Sequence, residues 1–284
     1  MTLRAVLAAM FGVMLSVPSV DAQTWRTLES SRQLRDSAEH HVRVQYGAGR
    51  IDVGVTDAPV LYAMTLRYDE STATPIRRYD PAGRALTLGV DIEAHRLRSL
   101  HDQTRGEMRL SLNRSVPLDL ELSLGATQAT LDLGGLNLVN LRLDSGASEA
   151  TLDFSSPNAG HMRSLEVRVG AARFEARNLA NANASAIRVS GGVGSVELDF
   201  GGQWTRDLTV DVEVALGKLS LHLPRDVGVR VEVDKFLTSF DQQGLSKRGD
   251  AYFSDNWDTA PHRLRLRAGT KFGGIELDRT AGAN

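Results

Sequence analysis

Apolar and polar residues alternate with period two through the middle of the chain, in blocks that each break at a glycine: LELSLGATQATLDL, LRLDSGASEATLDF, LEVRVGAARFEARNL and IRVSGGVGSVELDF. Period two is the pattern of a strand with one buried face. Gly125, Gly146, Gly170 and Gly192 stand 21, 24 and 22 residues apart, a spacing that indicates stacked units. Aligned on these anchors, the fifth position before holds Leu120, Leu141, Leu165 and Ile187. The third before holds Leu122, Leu143, Val167 and Val189, and the fourth after holds Ala129, Ala150, Phe174 and Val196. All are apolar, so each unit offers a face it cannot bury alone, and stacking must supply the core. The same frame accepts Gly217 with Val212, Val214 and Leu221, Gly269 with Leu264, Leu266 and Ile275, and Gly47 with Val42, Val44 and Ile51. The expectation is an all-β solenoid of stacked rungs, each about 21–25 residues long.

Outward positions test the stacking independently, because neighbouring strands lie about 4.8 Å apart and like charges there repel. Four before the anchor the residues are Glu121, Arg142, Glu166, Arg188 and Glu213, alternating in sign. A glycine-poor unit at Val229 to Phe240 fits less well, since it sets Glu232 beside Glu213 with Arg265 beyond. Seven after the anchor stand Asp132, Asp153, Arg177 and Asp199, with Glu276 in the last unit, an outward column dominated by carboxylates. Such a column could bind Ca²⁺ through hard oxygen ligands or supply an acid/base pair on a polysaccharide. The simpler role is a solvated outer face, because Arg177 interrupts the column. No metal site is predicted.

Before the repeats, residues 1–22 carry one basic residue, Arg4, an apolar run from Ala5 to Val17 and a Val-Asp-Ala ending. That is the pattern of a secretory signal peptide cleaved after Ala22, placing the mature chain in the periplasm or outside the cell. Residues 23–41 read as a polar lead-in, a short helix or cap on the open end of the stack. Residues 42–118 form an N-terminal β region, and residues 119–280 hold the glycine-anchored repeats, interrupted by a polar insertion at 242–260. No segment after residue 22 is apolar enough to cross a membrane.

Composition narrows the function classes. The chain has 284 residues, 42% hydrophobic content and formal net charge −2, so it lacks the basic excess expected of a nucleic-acid binder. It has no cysteine, and therefore neither a disulfide framework nor a lipid-bearing thiol. The seven histidines, His40, His41, His95, His101, His161, His222 and His262, show no ligand spacing. No HExxH, GxSxG or phosphate-binding glycine loop occurs, and no catalytic residue or cofactor is predicted.

The order of Ser115-Val116-Pro117-Leu118, LGATQATLDLGGL, SGASEATLDFSSPN, GGVGSVELDF, LPRDVGVRVEV and KRGDAYFSDNWDTAPHRLRLRAGTKFGGIEL resembles the toast-rack family of bacterial cell-envelope proteins. These are similar to the C-terminal domain of LiaF-type envelope-stress proteins and to adhesins of related fold. The resemblance covers roughly Val42 to Asp278. It implies a right-handed, β-helix-like solenoid at the cell envelope that acts through protein contacts, and it carries no catalytic residues. The transmembrane helices of LiaF-type proteins have no counterpart here, which implies a periplasmic or extracellular relative.

Two function classes follow. The first is a non-enzymatic envelope module, linked to envelope stress or adhesion, whose outer face or insertion binds a protein or glycan. Tyr252, Phe253 and Trp257 are its candidate contacts, or else they cap the last rung, whose open edge would otherwise invite aggregation. Uncapped ends would also permit self-association. The second is a polysaccharide-acting hydrolase or lyase, supported by fold analogy alone. It would require Asp132, Asp153 and Asp199 to converge in a cleft.

Overall fold

The computed structural model describes residues 24–92, 106–235, 238–240 and 244–280. The proposed signal peptide, His95 and His101 lie outside the described residues. Strands dominate: β1 (Trp25–Gln33), β2 (His40–Thr56), β3 (Val60–Asp69), β4 (Ala73–Asp80), β5 (Ala85–Ile92) and β6 (Glu107–Asn113) precede the repeats. The repeats supply β7 (Pro117–Asp132), β8 (Asn137–Ser145), β9 (Glu149–Asp153), β10 (Met162–Arg177), β11 (Ala184–Asp199) and β12 (Leu208–Pro224). After them come β13 (Gly228–Lys235), β14 (Thr238–Phe240), β15 (Ser246–Arg248), β16 (Ala251–Phe253) and β17 (Arg263–Thr280).

The stacked-rung expectation holds. β2, β7, the pair β8 and β9, β10, β11, β12, β17 and β13 lie side by side, each parallel to the next. Each rung has two arms that meet at the glycine corner. Along the first arm, Val42, Leu120, Leu141, Leu165, Ile187, Val210, Leu266 and Val231 pair in register, and none is more than 2% exposed. This column carries the core, because every rung adds an inward side chain that only its neighbours can cover. On the second arm, the small Ala129 and Ala150 are followed by Phe174 and Val196, all buried.

Three sequence expectations need correction. Gly217 pairs with Gly194 rather than aligning with Gly192, and with Gly273 rather than Gly269. The stacked core residues of those rungs are therefore Val210 and Leu266, two positions from the sequence alignment. A slip of two preserves side-chain parity, so an alternating pattern alone cannot detect it. β17 also inserts between β12 and β13, although β13 comes first in the chain. Finally, the lead-in is not a helix: β1 pairs antiparallel with β3 over Trp25 to Gln33. Without β1 the outer edge of β3 would carry unpaired backbone groups, and pairing overrides the weak local preference of this polar segment.

With the register corrected, the outward charge row reads Arg43, Glu121, Arg142, Glu166, Arg188, Asp211, Arg267 and Glu232. Asp211 takes the place expected for Glu213, and Arg267 separates Glu232 from the other acids. The signs alternate without a break. Contacts include Arg43 to Glu121 at 2.8 Å, Arg142 to Glu166 at 3.5 Å and Arg188 to Asp211 at 3.9 Å. These side chains are partly solvated, so each pair contributes little; the row acts mainly against slipped registers. Replacing Arg142 by glutamate aligns three carboxylates and is expected to cost about 1 kcal/mol. Thermal unfolding should show the loss at low ionic strength and its attenuation in salt; a loss unaffected by salt would mean the row is not electrostatic in effect.

Both ends of the parallel stack finish in antiparallel strands. At the first end, the arms of β2 continue into β5 and β6, which β4 and β3 cover antiparallel. At the far end, β16 pairs antiparallel with β13, and β15 pairs with β16.

Candidate functional site

The most distinctive surface runs along the glycine corner. A Cβ built on Gly125 would stand 2.1 Å from the Gly47 carbonyl oxygen; only glycine lets the rungs approach this closely, and the result is a floor of bare backbone. Over Gly47, Gly125, Gly146 and Gly170 this floor lies in an open groove of about 920 Å³. One wall comes from the β4–β5 hairpin, with Ile76, Arg78, Asp91 and Ile92; Asp144 and Arg168 lie on the other side. Arg168 pairs with Asp144 at 3.6 Å and with Glu166 at 2.6 Å. Tyr46 lines the groove from below and is 2% exposed, with no hydrogen-bond partner for its hydroxyl. Burial first, and the Glu107 carboxylate second, raise its phenol pKa, so it stays neutral.

Beyond Gly170 the same corner changes character. Val193, Leu216 and Phe272, 52%, 47% and 48% exposed, pair in register on three successive rungs. They form an apolar ladder on a surface otherwise built of charged rows. The alternating pattern assigns this position outward, so sequence reasoning passed over it; the signal was a large apolar residue, repeated, in an outward slot. From β2 to β17 the groove and ladder together span about 29 Å, at 4.8 Å per rung.

The carboxylate column is divided among separate turns. Asp132 and Asp153 are in-register partners, and Asp153 faces Arg177 on the next rung. Asp132 accepts hydrogen bonds from the Gly134 amide and the Ser155 hydroxyl, Asp153 from the Asn178 side-chain amide, and Asp199 from the Gly201 amide. Asp132 and Asp199 thus close the turns that follow their own strands, while Asp153 holds the turn that follows β10 on the next rung. Asp199 pairs with His222, which pairs with Asp278. Glu276 stands in the adjacent outward row opposite Ser220, displaced by the two-residue slip described above.

Near those turns the structure uses asparagines that the sequence analysis did not single out. The buried Asn158 donates to the Leu138 and Gly160 carbonyls and accepts from the Leu138 amide, tying one rung to the next. Asn181 donates to the Phe154 carbonyl and accepts from the Gln203 amide. The spacing of these asparagines was the available signal.

The three candidate aromatics divide between core and surface. Tyr252 is 6% exposed and packs edge-to-face on Phe240 at 4.9 Å. Phe253 meets Trp257 at 5.5 Å; Arg230 and Arg248 approach the Phe253 ring, and Arg263 and Arg265 the Trp257 ring. The histidines are dispersed: His40 is buried near Tyr79, His161 meets the Ser185 hydroxyl at 2.6 Å, and His222 meets Glu197 at 2.9 Å. His41 lies 3.6 Å from Asp119.

Comparison with known proteins gives one family match. The family model for the N-terminal domain of toast-rack proteins, DUF2154, matches residues 20–163. No curated protein matches the chain. Among solved structures, a "putative cell adhesion protein" from Clostridium sporogenes shares 15% identity with TM-score 0.45, covering 90% of this chain and all of that one. A "putative adhesin" from Bacteroides fragilis shares 11% identity with TM-score 0.36, covering 90% and 98%. A "Putative lipid binding protein" from Parabacteroides distasonis shares 8% identity with TM-score 0.32, covering 91% and 96%. No helix of the described residues is long and apolar enough to cross a membrane.

Proposed function

Because this chain belongs to the family of the toast-rack N-terminal domain, DUF2154, we propose that it is an exported, non-enzymatic binding module of the cell envelope that holds a protein partner along its glycine corner. The observation that carries this reading is the apolar ladder of Val193, Leu216 and Phe272, half exposed and held in register by three paired strands. Exposed apolar side chains gain free energy when a partner removes them from water, and a rigid sheet pays little ordering entropy on association. Export rests on the signal-like residues 1–22. Envelope stress or adhesion is the proposed setting.

A protein fits the ladder better than a glycan, because sugar rings stack on flat aromatic faces whereas Val193 and Leu216 offer branched aliphatic groups. The alternative hydrolase or lyase activity needs all three carboxylates to converge; Asp132 and Asp153 stand side by side, but Arg177 comes next in that row and Asp199 is held in a turn of its own.

The test is affinity capture from envelope extract with the wild-type chain and with Leu216→Asp and Phe272→Asp. A saturable protein partner lost in both variants, with unfolding temperature unchanged, is the expected result. Retention of the partner by both variants, or capture of glycan alone, would overturn this assignment.

A further inference from the structure

We propose that Glu39, His41 and Asp119 form a surface site for a zinc-class divalent cation, independent of the glycine corner. A ring nitrogen and two carboxylate oxygens from these residues all lie within 4.8 Å of one another. They are the only His, Asp and Glu side chains so arranged among the described residues.

The fold explains why they meet. His41 and Asp119 pair in register on adjacent rungs, β2 and β7, and both side chains point outward. Glu39 lies just before β2, and its carboxylate comes within 4.8 Å of the other two ligand atoms. The His41 Nδ1 to Asp119 Oδ2 distance is 3.6 Å, too long for a hydrogen bond. It is close to the ligand-to-ligand edge of tetrahedral zinc, about 3.4 Å for bonds of 2.0–2.2 Å. A small adjustment of Glu39 completes three protein ligands and leaves the fourth position to water.

Electrostatics supply an independent reason. The row two residues along, beginning at Arg43, alternates in sign at every rung, so each acid there meets an arginine. The row containing His41 and Asp119 continues instead with Asn140 and Ser164. Among the described residues neither Glu39 nor Asp119 meets a lysine or arginine; the nearby Arg84 pairs with Asp36 and Arg43 with Glu121. Two carboxylates within 4.8 Å repel, and a cation shared between them removes that repulsion. Asn140 donates to Asp119 Oδ2 at 3.2 Å and thereby orients the carboxylate, as groups around metal ligands commonly do. A nitrogen with two oxygens suits zinc, nickel or copper, whereas calcium needs six to eight oxygens.

Titration of the purified full chain with zinc chloride, followed by calorimetry, tests the site. The expected result is one equivalent bound, abolished in His41→Ala and Asp119→Asn, retained in His222→Ala, and weakened about tenfold in Asn140→Ala. Zinc should also raise the unfolding temperature of wild type but not of His41→Ala, which controls for misfolding of the variant. No zinc uptake by the wild-type chain, equal binding by His41→Ala, or loss of binding in His222→Ala would each overturn the proposal.

Discussion

Replacing Gly217 by valine is expected to abolish folding or to cost about 4 kcal/mol or more. A Cβ at this position would lie 1.8 Å from the Gly194 carbonyl oxygen, and the residue has φ +139°, a region that L side chains rarely adopt. The colliding atom is backbone held in a parallel ladder, so no rotamer change relieves the contact. The damage also spreads, because Gly217 sits between Gly194 and Gly273 on the rungs to either side. Gly54→Val is the control: the space around its Cβ is open, and the change should stay within about 0.5 kcal/mol. Denaturant unfolding of both variants decides the matter. A Gly217→Val protein with a wild-type midpoint would mean the corner is not held by glycine.

A second large loss, about 3 kcal/mol, is expected for Asn158→Ala. The asparagine is 4% exposed and makes three hydrogen bonds, with the Leu138 amide, the Leu138 carbonyl and the Gly160 carbonyl. Alanine removes the side-chain partner of the Leu138 amide and carbonyl at a turn that water reaches poorly, whereas the Gly160 carbonyl keeps its bond from the Asn183 side chain. Solvent exchange of the Leu138 amide, followed by NMR, should accelerate along with the lower unfolding midpoint. If the midpoint falls without faster exchange at Leu138, the loss comes from packing instead.

These two positions show what the sequence reveals and what it hides. The stack itself was legible, because Leu120, Leu141, Leu165 and Ile187 recur at a glycine-anchored spacing and only neighbouring rungs could bury them. Register in the last rungs was not. Gly192 and Gly194 are both plausible anchors by parity, and only three-dimensional pairing selects Gly194 for Gly217. That slip moved Glu276 out of the carboxylate column and put Asp211 in the charge row. The strand at β1 is hidden in the sequence because its partner residues on β3 lie 27 to 44 positions further along the chain. The apolar ladder went unnoticed because alternation marks Val193, Leu216 and Phe272 only as outward. Glu39, His41 and Asp119 were invisible as a group, since the first two meet the third across a rung contact formed between distant segments.

The insertion of β17 between β12 and β13 has a consequence for the order of assembly. Residues 263–280, which follow β13 in the chain, take up a place inside the stack with neighbours on both sides. Until they dock, β12 and β13 each lack a partner along one edge, so neither strand completes its pairing before β17 is in place. A truncation of these last rungs should therefore leave an exposed pair of edges that bind each other in other molecules, rather than a shortened but orderly solenoid.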